Sequence, residues 1–228
     1  MNTWVLIVAG GEGLRMRNPL PKQFMPLLGW PVLMHTVQAF YEYDQSINII
    51  IVLPDGFIDA WKGLCKQNNF LIQHTLVKGG KTRFHSVRNG LMHAGDEGLI
   101  AIHDGVRPLV NRATIDRCFK TAALKGSAVP VLLPVESVRK VHGKGSVRVN
   151  REDLRLVQTP QVFRAGEIKQ AYRRKYSSSF TDDASVAEKA GIKIHLVMGN
   201  PENIKITTPM DLKLAECLIR GMMREKPF

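Results

Sequence analysis

No stretch of the 228-residue chain approaches 18 consecutive apolar residues, which argues against a membrane-spanning helix. The chain enters an apolar strand at once, with neither a basic leader nor a cleavage site, so a cytoplasmic protein is expected. Cysteine is scarce. Cys65, Cys118 and Cys217 are odd in number and widely spaced, and each lies in a helical-looking stretch, so they read as packing residues and not as disulfides or zinc ligands. Acidic residues are few: 20 Asp and Glu face 32 Lys and Arg, giving a net charge of +12 that suits polyanionic partners. Nucleic acid is the obvious one, but aromatics are only 7%, and no aromatic-glycine ribonucleoprotein motif, zinc-finger spacing or long basic tail is present. A basic nucleic-acid-binding module therefore remains only as the non-enzyme alternative. The cations gather near a glycine loop, in 139–155 and in 169–175, which suits several phosphates on one small substrate pair; part of the excess reads as solvated surface.

The chain is organised around Val5 to Lys22, VLIVAGGEGLRMRNPLPK. Val5 to Val8 is continuously apolar, the pattern of a strand buried on both faces. Gly10, Gly11 and Gly13 then leave the backbone bare, so main-chain N–H groups can approach a ligand closely, while Arg15, Arg17 and Lys22 add positive charge. A phosphate chain fits such a loop; an ordinary strand-to-helix turn is the plainer reading. The dinucleotide fingerprint GxGxxG fails, because Met16 stands where the third glycine belongs. The phosphate-binding loop GxxxxGK[ST] also fails: its end occurs at Gly80-Lys81-Thr82, but its first glycine falls on Thr75.

Strands are expected at 47–54, 70–77, 99–103, 128–135 and 193–198. Helices are expected at 31–43, 57–67, 83–94, 112–124, 165–175, 182–190 and 208–224. Such alternation indicates right-handed βαβ units and a doubly wound, mostly parallel sheet, an α/β fold in a single domain spanning 1–228. The rhythm breaks over 136–158, where VRKVHGKGSVRVN reads as two short strands turned through Gly143-Lys144-Gly145. A polar, basic hairpin makes little core of its own and should project to meet a partner surface, unless it is a flexible loop.

Ligands of open parallel sheets bind at the carboxyl ends of strands. Three such ends carry candidates: Ala9-Gly10-Gly11 after the first strand, Gly79-Gly80 with Arg83 and Ser86 after the third, and HDGVRP (103–108) after the fourth. Asp104 could hold a magnesium ion or be paired with Arg107 to shape the loop, and both can hold together.

Taken in order, VAGGEGLRM, LPKQF, GGKTRFHSV, HDGVRP, QTPQVF, TDDASV and ENIKIT resemble the 2-C-methyl-D-erythritol 4-phosphate cytidylyltransferases of the non-mevalonate isoprenoid pathway, over residues 5 to about 218. The resemblance implies a Rossmann-like nucleotidyltransferase core, CTP as donor, a sugar-alcohol phosphate as acceptor, and Mg2+ as cofactor. It places Arg15 and Lys22 on the pair that stabilises charge on the α-phosphate. Ala9, Gly10, Gly11, Gly80, Ser86, Asp104 and Gly105 fall on nucleotide-binding positions, with Asp104 also the metal candidate, mainly through the CTP phosphates. Arg151 and Lys205 fall on residues that position the acceptor, and Ser137 and Thr159 on further substrate neighbours. The 136–158 arm corresponds to one that crosses to a second subunit of a homodimer.

The chain departs from the family pattern in places. Gly10 stands where alanine is frequent, HDGVR replaces HDAAR, Glu202 replaces an aspartate, and Lys81 stands where an acid is frequent. The required chemistry agrees with the residues: the acceptor phosphate is already an anionic nucleophile, so alignment and relief of repulsion suffice, and neither His85 nor His103 needs a catalytic role. A ribitol-5-phosphate cytidylyltransferase shares the glycine loop, LPKQF and the NIK motif. TDDASV and the RxxLxxxQTP spacing from Arg151 favour methylerythritol phosphate.

Overall fold

A computed structural model of the chain describes residues 2–10 and 20–224. In chain order its strands are β1 (Thr3–Val8), β2 (Pro26–Leu27), β3 (Trp30–Pro31), β4 (Asn48–Leu53), β5 (Thr75–Lys78), β6 (Leu99–Asp104), β7 (Ser127–Leu132), β8 (Val138–His142), β9 (Gly145–Val149), β10 (Leu156–Val157), β11 (Gln161–Arg164) and β12 (Leu196–Met198). The α-helices are α1 (Val32–Tyr43), α2 (Ile58–Gln67), α3 (Arg83–Leu91), α4 (Arg112–Lys125), α5 (Ala165–Ala171), α6 (Asp183–Lys189) and α7 (Pro209–Arg224).

The sheet runs β5-β4-β1-β6-β11-β7, and β7 also pairs with β10 and β12. All neighbours among β5, β4, β1 and β6 are parallel. Side chains of β1 alternate between two cores, as a period of two requires. Val5 and Ile7 pack with Leu33, Phe40, Trp61 and Phe119 of α1, α2 and α4, whereas Leu6 and Val8 pack with Phe84, Val87, Ile168 and Val186 of α3, α5 and α6. Helices thus cover both faces, the doubly wound arrangement expected. A third cluster joins Leu27, Val32, Val106, Leu109 and Ile206 to Ala215 of α7, so the closing helix packs beside the loop that follows β6.

The structure departs from the sequence reading in several places: α3 ends at Leu91, α5 at Ala171 and β7 at Leu132, each short of its expected end, and three further strands differ. The third strand is confined to Thr75–Lys78, not 70–77: Phe70 instead fills the core against Trp61, and His74 accepts the Trp61 indole N–H at 2.9 Å, so side-chain packing outcompetes ladder pairing there. β11 was not foreseen. It lies antiparallel between β6 and β7, with Phe163 opposite Ile100 and Ser127, inside a sheet otherwise read as parallel. Its brevity, four residues beside Pro160, leaves no periodic signal. The last strand is Leu196–Met198 and omits 193–195, where Lys193 O instead accepts the Ser127 hydroxyl at 2.6 Å.

The hairpin is present as β8 and β9, paired antiparallel with Val138 opposite Val149 and His142 opposite Gly145. The register puts Val138, Val147 and Val149 on one face, and Val147 is 51% exposed. Leu133, Val135, Leu156 and Val157 beside it are exposed too.

Candidate active site

A cleft of about 800 Å³ opens at the carboxyl ends of the parallel strands. Its walls come from six segments: Val8, Ala9 and Gly10 at the end of β1; Lys22 and Gln23; Pro54 and Asp55 after β4; Gly79 to Arg83 with Ser86 around the start of α3; Asp104 and Val106 at the end of β6; and Lys205 and Thr207.

Each segment is pinned from behind. Lys22 begins a single 3-10 turn whose next residues are both buried. Gln23 Nε2 donates to Ala9 O at 2.8 Å, and Phe24 stacks on Trp61 with centroids 6.1 Å apart. The lysine of LPKQF is thereby held near the end of β1 by its two neighbours, and is itself half-buried. At the opposite wall Ser86 Oγ accepts the Gly80 N–H at 3.1 Å. A Cβ on Gly80 would stand 2.4 Å from His85 Cβ, and one on Gly105 would stand 2.8 Å from Ala9 Cβ, so both positions exclude any side chain.

Asp104 forms the floor and carries a collar of cations. Lys205 Nζ lies 3.0 Å and Arg107 Nε 3.2 Å from its Oδ2, and Arg83 Nε lies 3.5 Å from Oδ1. Burial alone would raise the carboxyl's pKa; the charges of Arg83, Lys205 and Arg107 outweigh it and hold the group well below the usual carboxylate range. Asp104 is thus an anion at every physiological pH. Behind it, the Thr159 hydroxyl accepts the Asp104 N–H at 3.1 Å and meets His103 Nδ1 at 3.0 Å, while His103 Nε2 faces Arg107 O at 3.0 Å. A carbonyl only accepts, so Nε2 carries the hydrogen; the neutral ring then takes the Thr159 hydroxyl hydrogen at Nδ1. His103 is fully buried, and burial lowers its pKa to about 4. It packs behind the loop and does not line the cleft.

The segments that carried the resemblance meet here through backbone contacts. Arg107 Nη1 donates to Asn203 O at 2.7 Å, and Asn203 Nδ2 donates to Thr159 O at 2.8 Å. Ile206 N donates to Val106 O at 2.9 Å. HDGVRP, QTPQVF and ENIKIT are therefore one assembly, and Lys205 is delivered over Asp104 by it.

The family model described as 2-C-methyl-D-erythritol 4-phosphate cytidylyltransferase matches residues 3–221. The chain belongs to that family. A protein of that name from Phocaeicola vulgatus is 52% identical over 219 residues, covering 96% of this chain and 100% of the relative. One from Bacteroides fragilis is 52% identical over 214 residues, covering 94% and 98%. The solved 2-C-methyl-D-erythritol 4-phosphate cytidylyltransferase of Thermus thermophilus superimposes with a TM-score of 0.79 at 32% identity, covering 96% of this chain and 100% of that one.

Within this frame the structure brings together Ala9, Gly10, Lys22, Gly80, Ser86, Asp104 and Lys205 on the cleft, with Gly105 packed directly beneath Ala9. Arg15 and Gly11 lie outside the described residues. Thr159 is placed behind Asp104 and not on the cleft wall, because its hydroxyl is engaged there. Ser137 and Arg151 stand on the exposed arm and do not line the cleft of their own chain; Arg151 flanks a smaller hollow with Leu133, Pro134 and Val135. Glu202 accepts from Asn200 Nδ2 at 3.1 Å, and Lys81 lines the cleft.

The basic run 169–175 is a correction. Arg173 and Arg174 line a separate hollow with Lys125, Arg164 and Lys193. Arg164 pairs in register with Leu99 at the start of β6, whereas Asp104 ends it. At about 3.3 Å per residue Arg164 lies on the order of 16 Å from Asp104 along the sheet, and none of residues 169–175 lines the cleft. Arg83, named with Gly79-Gly80 after the third strand, does line the cleft, whereas Asp55 is a cleft residue that the strand ends considered from the sequence did not include. The strand-end rule applied to the first, third and fourth strands would also have found Pro54-Asp55 after β4.

Among the described residues no three or more His, Cys, Asp or Glu side chains gather into a metal cage. Asp104 alone fits the way magnesium is usually held beside a nucleotide, by one or two carboxylates and the phosphates themselves.

Proposed function

We infer that the chain transfers the cytidylyl group of CTP to 2-C-methyl-D-erythritol 4-phosphate, giving 4-diphosphocytidyl-2-C-methyl-D-erythritol and pyrophosphate for isoprenoid precursor synthesis. The observation that carries this reading, beside the family membership, is the convergence of Lys22, Ser86, Asp104 and Lys205 on one cleft with Ala9 and Gly10. An oxygen of the acceptor phosphate attacks the α-phosphorus, and the bond to the oxygen bridging to the β-phosphate breaks, the pair leaving with pyrophosphate. The nucleophile is already ionised, so no general base is required. Lys22 and Arg15 supply fixed positive charge where it grows on the α-phosphoryl oxygens, and Lys205 receives the acceptor's phosphate. Asp104 would hold Mg2+ together with the triphosphate, and the ion would supply charge neutralisation there. Gly10, Gly80, Ser86 and Gly105 shape the wall that the nucleoside meets.

The arm supports a two-fold dimer in which Arg151 and Ser137 complete the partner's cleft. Val147 on it, and Leu133, Val135, Leu156 and Val157 beside it, are exposed, and neither residue lines the cleft of its own chain. A cytoplasmic setting belongs to the same reading: Cys65 and Cys118 are unpaired thiols that burial pushes up to about 11 and about 12, as suits packing residues in a reducing compartment. Among the described residues no helix is long and apolar enough to cross a membrane.

Pyrophosphate release decides the function. The pure protein is incubated with Mg2+, each nucleoside triphosphate and each acceptor. Turnover is expected with CTP and methylerythritol phosphate and is expected to stop on chelation. A higher kcat/KM for ribitol 5-phosphate would transfer the assignment to that acceptor. Absence of pyrophosphate release with every acceptor, together with a steep loss of affinity for random duplex as salt is added, would favour the nucleic-acid module.

A further inference from the structure

Arg83 enters the cleft from the first turn of α3 but is tied from behind. Its guanidinium forks onto Asp183, Nη1 donating to Oδ1 at 2.8 Å and Nη2 to Oδ2 at 2.7 Å, while Nε faces Asp104 Oδ1 at 3.5 Å. Asp183 is fully buried and also accepts the Tyr172 hydroxyl at 2.6 Å. Tyr172 is 2% exposed and stacks on Phe84, centroids 4.8 Å apart. A continuous line of contacts therefore runs from the aromatic core beneath α3, through Asp183 and Arg83, to the carboxylate on the cleft floor.

The guanidinium is shared unequally. Two short, charge-assisted bonds bind it to Asp183, which offsets its charge inside the protein, so it adds little net positive charge to the cleft. The longer contact to Asp104 restrains the side of that carboxylate opposite Lys205, since Arg83 faces Oδ1 and Lys205 faces Oδ2. A side chain in this position holds its neighbour in place and is a poor counterion for phosphate.

We propose that Arg83, locked by Asp183 and Tyr172, is a positioning residue that fixes the carboxylate of Asp104 and thereby the resting place of Lys205. Lysine cannot replace it, because an ammonium on a flexible stem does not fork onto one carboxylate while reaching a second. The inference rests on the function proposed above, in which Lys205 receives the acceptor phosphate. The competing account is that the fork merely fastens α6 to α3.

Two variants separate these. Arg83→Lys keeps the charge and loses the fork; Tyr172→Phe removes one hydroxyl and keeps the ring stack. After normalising to folded protein, kcat/KM for the acceptor is expected to fall on the order of tenfold to 10² in Arg83→Lys, because small misplacements near a reacting centre carry losses of that size. A loss of roughly threefold or more is expected in Tyr172→Phe, with the calorimetric Kd for CTP within about threefold of the parent in both. A merely structural fork would lower Tm and leave these constants alone. Crystals of Tyr172→Phe give a readout independent of turnover: the Lys205–Asp104 pair should be displaced. Retention of that pair, or folded variants with parental kcat/KM, overturns the proposal. If Arg83→Lys fails to fold, Tyr172→Phe decides by both measures. If the parent chain itself does not use the acceptor, the functional reading fails, and the crystals still judge the placement of Asp104.

Discussion

Lys205 Nζ sits 3.0 Å from Asp104 Oδ2, so the cation assigned to the acceptor's phosphate is held by the carboxylate on the cleft floor. The bond keeps a long side chain aimed into the cleft before substrate arrives. Lys205→Met should lower kcat/KM for the acceptor by roughly tenfold to 10², the scale of one hydrogen bond to a charged group, and leave CTP affinity within a few-fold. Initial rates at varied acceptor, with calorimetry for CTP, check this. A variant with an unchanged acceptor KM and kcat would remove Lys205 from the acceptor site.

Lys22→Ala and Arg15→Ala should lower kcat far more than they weaken CTP binding, since both are assigned to charge that develops during transfer. A loss on the order of 10² or more is expected for each. Single-turnover rates and CTP titrations separate the two effects. Near-parental kcat in either variant would make that residue a bystander.

The arm offers a complementation test. If Arg151 serves the neighbour's cleft, a dimer pairing a Lys22→Ala chain with an Arg151→Ala chain has one cleft with both residues intact. Each variant homodimer has none. Random pairing places half the dimers in the mixed form, so about a quarter of parental activity should return when the two inactive proteins are unfolded together and refolded. Confirmed mixed dimers without recovered pyrophosphate release would place Arg151 in its own chain's chemistry or in none.

Acid should weaken the fold while Asp104 on the cleft floor stays ionised. His103 is held neutral with its pKa lowered to about 4, against 6.5 in an unfolded chain. Between those values the unfolded state binds a proton that the folded state refuses, so stability is fully present above 6.5 and is lost as pH falls towards 4. The full span corresponds to roughly 3 kcal/mol. Burial lowers His35 and His74 as well, in the same direction. Tm should therefore drop by on the order of 5–10 °C between pH 7 and pH 4.5, with a shallower slope in His103→Gln. Equal slopes would show that His103 does not carry the effect.

Much of this was legible in the sequence because the determinants are local. Continuous apolar runs gave β1, β4 and β6, and helical spacing gave α1 and α4 nearly to the residue. Strand ends pointed to Gly10, Gly80 and Asp104, which meet in one cleft. What could not be read depends on pairings between distant segments. Arg83 and Asp183 find each other across 100 residues, and Gln23 finds Ala9 across 14, through contacts with no periodic signature. β11 takes its place from the vacancy between β6 and β7, which no local pattern announces. The basic run 169–175 misled because charge density along a chain says nothing about which end of a sheet it will face.

The two chain ends of the arm adjoin. Leu132 and Leu156 stand opposite one another where β7 pairs with β10, so everything between them leaves the body and returns to it at a single rung. A segment attached in this way can lengthen, shorten or be exchanged for a tight turn while the cores around β1 keep their contacts. The sheet and the arm are thus joined at one place, and a change in the length of the arm leaves the packing around β1 untouched.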